Sequence, residues 1–144
     1  MKSFNPEYLA GVFDSDGSFS ISRRNMKRKS VSYVAMTQLT WKNTPLSAQF
    51  MDALVFQYGG SYMVYGPTKT EYLKYSATGK VAEKIVDSVK DFLFLKKKQA
   101  ENLLKLRTLT VNPGGKTRPS YITDQLEELY QYNLSINTKN SRYK

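Results

Sequence analysis

The chain of 144 residues carries 22 Lys and Arg against 12 Asp and Glu, a net charge of +10, and its 40% hydrophobic and 13% aromatic content is enough for a packed interior; a single folded domain that meets a polyanion is implied. With no Cys and no His, disulfide frameworks, zinc fingers, Fe–S sites, thiolate nucleophiles and His-based triads are excluded, and any metal has to be held by oxygen. No apolar run reaches the roughly 18 residues of a membrane span, and the N-terminus lacks a secretory h-region, so an intracellular, soluble protein with no membrane partner is expected.

Asn5-Pro6-Glu7 predicts a helix start, because Asn accepts from the first free N–H groups, Pro fits the first turn and Glu suits the positive dipole end. The helix is expected over 6–14, stopping at Asp14-Ser15-Asp16-Gly17 with Gly17 in a left-handed cap. From Ser18 the period is two: Phe19 and Ile21 share one face, and Ser18, Ser20, Ser22 and Arg24 the other. A basic turn containing Arg23, Arg24, Lys27, Arg28 and Lys29 leads to a second strand over 31–41. There Val31, Tyr33, Ala35, Leu39 and Trp41 face one way and Ser32, Gln38 and Thr40 the other, with Val34 and Met36 interrupting the polar side. Thr44-Pro45 repeats the cap-then-proline signal, and a helix follows to Gly59-Gly60. Strands near 61–66 and 71–77 flank a Gly66-Pro67 turn, and helical patterns cover about 80–92, 96–109 and 122–134, the last two separated by Pro113-Gly114-Gly115. The expected order is α-β-β-α-β-β-α-α-α in one domain, with a core over about 4–110, a helical extension over 111–144 and a frayed basic end from Lys139.

Four strands can form one antiparallel sheet whose face of Ser, Arg, Gln and Thr either enters the major groove of DNA or is simply solvated. Gly11 inside a short apolar helix costs about 1 kcal/mol relative to Ala, which suggests a backbone packed closely against it. Two carboxylates then stand at the negative end of that helix dipole. They either cap and turn the chain, as Asp-x-Asp-Gly does, or share a bound cation.

The stretch Leu9-Ala10-Gly11-Val12-Phe13-Asp14-Ser15-Asp16-Gly17 resembles the motif of the LAGLIDADG homing endonucleases, matching at Leu9, Ala10, Gly11, Asp14, Asp16 and Gly17. The run Phe92-Leu93-Phe94-Leu95-Lys96-Lys97-Lys98-Gln99-Ala100-Glu101-Asn102 is similar to that family's later basic segment. The resemblance implies an α+β fold, αββαββα, with a curved four-stranded antiparallel sheet and extra C-terminal helices. It also implies a sequence-specific, metal-dependent endonuclease that cuts double-stranded DNA at a long near-palindromic site and leaves short 3′ overhangs. One motif per chain points to the homodimeric branch, in which Leu9, Ala10, Gly11, Phe13 and Asp14 would meet a second copy.

By the same resemblance Asp16 binds the divalent cation, with the backbone carbonyl of Ser15 as a further ligand. Mg²⁺ suits a site of few carboxylates plus phosphate oxygens, and Mn²⁺ would substitute. Lys96 and Lys98 match active-site basic positions, and Asp14 is assigned to the helix end or the dimer contact. The family often places a water-positioning Gln at the end of the second strand. Here the alignment puts Trp41 there, so Gln38 either fills that catalytic role or contacts a base, with Thr40 or Lys42 as other polar candidates. DNA contacts are expected from Ser18, Ser20, Ser22, Arg24, Ser32, Gln38, Tyr62, Glu71 and Leu73, and phosphate contacts from Arg23, Lys27, Arg28 and Lys29. Rival readings on the same fold are a group I intron maturase, whose partner is intron RNA, and a catalytically silent DNA-binding protein. The family implies an intron-encoded protein in an organelle (chloroplast or mitochondrion) or a prokaryotic host.

Overall fold

Asn5 starts the first helix as its chemistry predicts: its side-chain oxygen accepts from the N–H groups of Glu7 at 2.8 Å and Tyr8 at 3.3 Å. A computed structural model describes residues 3–25, 31–110 and 120–141. Its elements are α1 (Pro6–Asp16), β1 (Gly17–Asn25), β2 (Val31–Lys42), α2 (Pro45–Tyr58), β3 (Ser61–Tyr65), β4 (Tyr72–Thr78), α3 (Lys80–Val89), α4 (Lys97–Thr110) and α5 (Ser120–Ser141). This is the expected order. Thr44 caps α2 by accepting from the N–H of Ser47 at 3.0 Å.

The strands form one antiparallel sheet in the order β1-β2-β4-β3. One face packs against the helices through Phe19 and Ile21 of β1, Tyr33, Ala35 and Leu39 of β2, and Leu73, Tyr75 and Ala77 of β4. Leu9, Ala10 and Phe13 of α1, Ile85, Val86 and Val89 of α3, and Leu103 and Leu106 of α4 complete that core. The other face carries no helix among the described elements that meet the sheet core, and its alternate residues are partly or fully exposed. The edge strand β1 is covered by α5, whose Asn133 and Asn137 side-chain amides donate to the Phe19 carbonyl at 3.3 and 3.0 Å. Asn133 in turn accepts from Asn102 of α4 at 3.0 Å, so the otherwise free edge is tied to two helices.

Several boundaries differ from expectation. Helix α1 runs two residues further, and Gly17 is not in the left-handed region but extended, at φ −90°. Its requirement for glycine is steric: a Cβ there would lie 2.3 Å from Phe13 Cδ1 and 2.9 Å from Phe13 Cα. At the end of α2 the glycines do act through backbone freedom, since Gly60 has φ +83° and a Cβ would meet the Ser76 carbonyl at 2.8 Å. The third helix closes in a short 3₁₀ turn over Lys90–Phe92. The final helix continues to Ser141 where fraying was expected, and residues 142–144 lie outside the described residues. No described helix is long and apolar enough to cross a membrane.

Candidate functional site

The strand pairing decides which side chains share the open face of the sheet. Arg24 stands opposite Ser32, Ser22 opposite Val34, Ser20 opposite Met36 and Ser18 opposite Gln38. Across the next ladder Gln38 faces Ser76, Thr40 faces Lys74 and Lys42 faces Tyr72; beyond it Ser61, Met63 and Tyr65 join Ser76, Lys74 and Tyr72. Side chains alternate in a strand, so all of these lie on one side, opposite the buried Leu39, Leu73, Tyr75 and Ala77. The six candidates of β1 and β2, Ser18, Ser20, Ser22, Arg24, Ser32 and Gln38, thus fall on the open face. Arg28, Lys27 and Lys29 lie outside the described residues.

In the last two strands the expected parity is wrong. Leu73 is 1% exposed and belongs to the core. Tyr62 pairs with the buried Tyr75, and its hydroxyl donates to Asp52 of α2 at 2.6 Å, which places it on the helix side. Glu71 precedes β4 and accepts from the Asn43 side-chain amide at 3.0 Å. The open positions are instead Tyr72, Lys74 and Ser76, with Met63 and Tyr65 beside them; the rings of Tyr65 and Tyr72 stack with centroids 5.5 Å apart. Arg23 is also reassigned, because its guanidinium is held by Glu127 of α5 at 2.7 and 2.8 Å and lies 4.7 Å from the centre of the Tyr130 ring. That arginine fastens α5 and is not placed for phosphates.

A cleft of about 470 Å³ opens where α1 passes into β1, lined by Ser15, Asp16, Gly17, Ser18, Gln38, Thr40 and Lys74. Asp16 is exposed there, and its Oδ2 accepts from the indole Nε1 of Trp41 at 2.9 Å. Ser15 turns its hydroxyl back to the Val12 carbonyl at 3.1 Å; its own carbonyl is one of the last four of the helix, which have no intrahelical donor. Gln38 donates to Ser76 Oγ at 3.3 Å. The lining therefore brings together Asp16, Ser15 and Gln38 with Thr40, one of the two other polar candidates, and adds Lys74. Trp41 does not displace the polar group from the cleft: it lies on the core-side parity of β2, with its ring centroid 4.6 Å from that of Phe50, while Gln38 and Thr40 occupy the open side.

Asp14 is engaged in a different task. Its two oxygens accept from the backbone N–H groups of Phe94 at 2.7 Å, Leu95 at 3.1 Å and Lys96 at 3.0 Å. These lie at the start of α4, where the first helical bond runs from Ala100 N–H to the Lys96 carbonyl, so the carboxylate meets the positive end of a dipole. The conflict at the end of α1 is resolved for Asp14 by protein donors. The anchored Lys96 sends its ammonium to the Gly17 carbonyl, at the lip of the cleft. Lys98, exposed in the first turn of α4, is not among the cleft-lining residues.

Of the α1 residues expected to meet a second copy, Gly11 is exposed, whereas three are corrected. Leu9, Ala10 and Phe13 are 0% exposed within their own chain, because their helical spacing places them on the core stripe. The outward stripe carries Tyr8, Gly11 and Ser15, and a Cβ at Gly11 would meet nothing within 4 Å in this chain. Next to Asp14, Phe94 and Leu95 are 87% and 67% exposed.

Among the described residues no group of three or more Asp and Glu is placed to hold a metal ion. Asp16, the Ser15 carbonyl and the hydroxyl and amide oxygens of the cleft form an all-oxygen donor set with a single carboxylate. That set fits Mg²⁺ or Mn²⁺, which take one or two carboxylates and fill the rest of their octahedron with water and phosphate oxygens. It does not fit an ion that needs a complete protein cage.

No protein-family model matches the sequence and no curated protein matches it, but solved structures do. The homing endonuclease I-CvuI, determined in complex with its target in the presence of Ca, superposes with a TM-score of 0.73 at 14% identity over 91% of this chain and 80% of that one. The archaeal intron-encoded homing endonuclease I-Vdi141I, complexed with DNA, gives 0.72 at 20% identity over 91% and 82%. The meganuclease I-SmaMI, bound to uncleavable DNA, gives 0.68 at 17% identity, and this chain covers 90% of itself but 44% of I-SmaMI.

Proposed function

The chain has the homing-endonuclease fold, and from that fold together with the motif at α1 we propose that it is a LAGLIDADG-type endonuclease acting on double-stranded DNA. The observation that carries this reading is the position of Asp16: the second motif carboxylate opens into a cleft beside Lys74 and below the open face of the sheet. Helix α1 and the Asp14 anchor exist, on this reading, to hold that carboxylate and Lys96 at one end of a DNA-reading surface.

Arg24 suits bidentate contact with guanine and Gln38 with adenine, whereas serines of β1 adapt to either donor or acceptor edges. Lys74 balances phosphate charge within the cleft. Asp16 and the Ser15 carbonyl would hold a divalent cation, which when bound supplies the Lewis acidity that activates water and the charge that stabilises the leaving 3′ oxygen. Lys96 keeps the α1–β1 turn in place through the Gly17 carbonyl. A symmetric pair of chains supplies one such cleft per DNA strand and accounts for a near-palindromic site. The exposed stripe of Tyr8, Gly11 and Ser15, next to Phe94 and Leu95, is the face on which α1 would meet its copy. The protein would then act with intracellular DNA, in an organelle or a prokaryote.

The test begins with selection of a bound duplex from a randomised palindromic library, followed by incubation with Mg²⁺, Mn²⁺ or Ca²⁺. The reading expects cleavage with short 3′ overhangs in Mg²⁺ and Mn²⁺, binding without cleavage in Ca²⁺, and a two-to-two stoichiometry of chains to strands. Binding with no cleavage in any divalent ion would identify a silent DNA binder, and preference for intron RNA over every duplex would identify a maturase.

A further inference from the structure

We propose that Trp41 is a positioning residue for Asp16, its indole N–H holding one carboxylate oxygen so that the other is presented to the divalent cation; this rests on the reading of Asp16 as the cation ligand. The bond from Nε1 to Oδ2 is 2.9 Å and joins residues 25 apart in sequence. Among the described residues no protein donor takes Oδ1. The carboxylate is thus divided into a held oxygen and an open one.

Trp41 suits the task for three reasons. Its N–H is a donor only, so it can orient an ionised carboxylate but can neither compete for the cation nor remove a proton. Its ring is set from behind: the Phe50 ring lies 4.6 Å away, and Phe50 in turn lies 4.6 Å from Phe4, so the indole edge reaches Asp16 from a packed aromatic row with few rotors to restrain. Its approach is from the core side of β2, which leaves Gln38 and Thr40 in the cleft. Donors that fix a metal-ligating carboxylate typically change metal affinity by about 10–100-fold when removed.

Trp41 is the one tryptophan of the chain, so its emission reports on the surroundings of this side chain alone. Mn²⁺ titration of the purified protein, followed in parallel by electron paramagnetic resonance and by Trp emission, tests the proposal. Wild type should show a saturable emission change that tracks Mn²⁺ occupancy, and Asp16→Asn should lose both. Trp41→Phe keeps the aromatic packing and should bind Mn²⁺ about 10–100-fold more weakly with an unchanged thermal midpoint. If Trp41→Phe binds as tightly as wild type while Asp16→Asn does not bind, the positioning role is overturned and the cation reading stands. If wild type binds no more Mn²⁺ than Asp16→Asn, the reading of Asp16 fails and the proposal with it. Should Trp41→Phe fail to fold, the indole N–H proton resonance decides: a shift between wild type and Asp16→Asn, with a further shift on Mg²⁺ binding to wild type, supports the role, and a resonance indifferent to both overturns it.

Discussion

The α1–α4 junction and the α1–β1 cleft are built around carboxylates two residues apart on one helix, yet their surroundings assign them opposite work. At the junction both oxygens of Asp14 are taken up by protein donors, three backbone N–H groups in all. In the cleft Asp16 accepts one indole N–H and keeps an oxygen open. Identical side chains are anchored or left open according to how many donors the fold has aimed at them, and the count follows from helical phase: Asp14 lies over the start of α4, while Asp16 ends the helix where the chain enters the sheet.

The largest effect expected from this contrast is on Asp16. Asp16→Asn should abolish Mg²⁺-dependent cleavage of a selected target, leave Ca²⁺-supported binding intact in a gel-shift titration, and change folding stability by no more than about 0.5 kcal/mol, as an exposed substitution does. A marked loss of stability would show that Asp16, too, is a structural group. The two sides of β4 extend the contrast. Leu73→Ala should cost about 2–5 kcal/mol in denaturant unfolding, the range for a fully buried leucine. Its neighbour Lys74→Met should fold normally but bind every duplex more weakly, with the slope of log affinity against log salt reduced by about 1. Equal effects of the two on stability would break the assignment of faces.

Asp14→Ala removes a charged acceptor from three N–H groups and should cost about 2 kcal/mol of stability, read as a lowered midpoint in urea. Cleavage should fall as well, because the segment that carries Lys96 loses its anchor. A variant with full stability and reduced cleavage would move Asp14 into the reactive class.

What the sequence made legible follows the range of the forces involved. Asn5-Pro6 and Thr44-Pro45 announce helix starts because capping acts within three residues, and the alternation of β1 and β2 is visible because each strand alone shows both faces. In β4 the same signal was present in Leu73-Lys74-Tyr75-Ser76-Ala77, but tyrosines at 72 and 75 blur an apolar-versus-polar count, and only the pairing of Thr40 with Lys74 settles the parity. Lys74 was missed for that reason. Gly17 was expected to be needed for its backbone and is needed for its missing Cβ, a contact with Phe13 that no propensity encodes. The motif itself pointed to Asp16, whereas the Trp41 donor and the three donors to Asp14 come from segments 25 to 82 residues away and have no local signature. The resemblance implies a partner contact for Leu9, Ala10 and Phe13, and the apolar stripe itself does not say which molecule covers it; the fold buries them in their own chain.

The smallest effect concerns a third carboxylate, Glu127 on α5, which resembles Asp14 in having both oxygens held but is met by side chains. Its oxygens accept from Arg23, from the Tyr33 hydroxyl at 2.7 Å and from Gln131 at 2.9 Å. Bonds from Tyr33, then Arg23 and Gln131, hold its carboxyl well below the ordinary range, at about 2 against 4.5. A lowered folded-state value means that the ionised form is favoured by folding, so the contribution is complete above about pH 4.5 and is lost as pH falls toward about 2. The side chain is 36% exposed, so water screens the cluster and the contribution should stay below about 1 kcal/mol. Glu127→Gln should accordingly flatten the decline of stability between those pH values by that amount and leave the neutral-pH fold intact. A decline as steep as wild type would show that the α5 clamp is held by the packing of Leu126 and Leu129 and not by its charge.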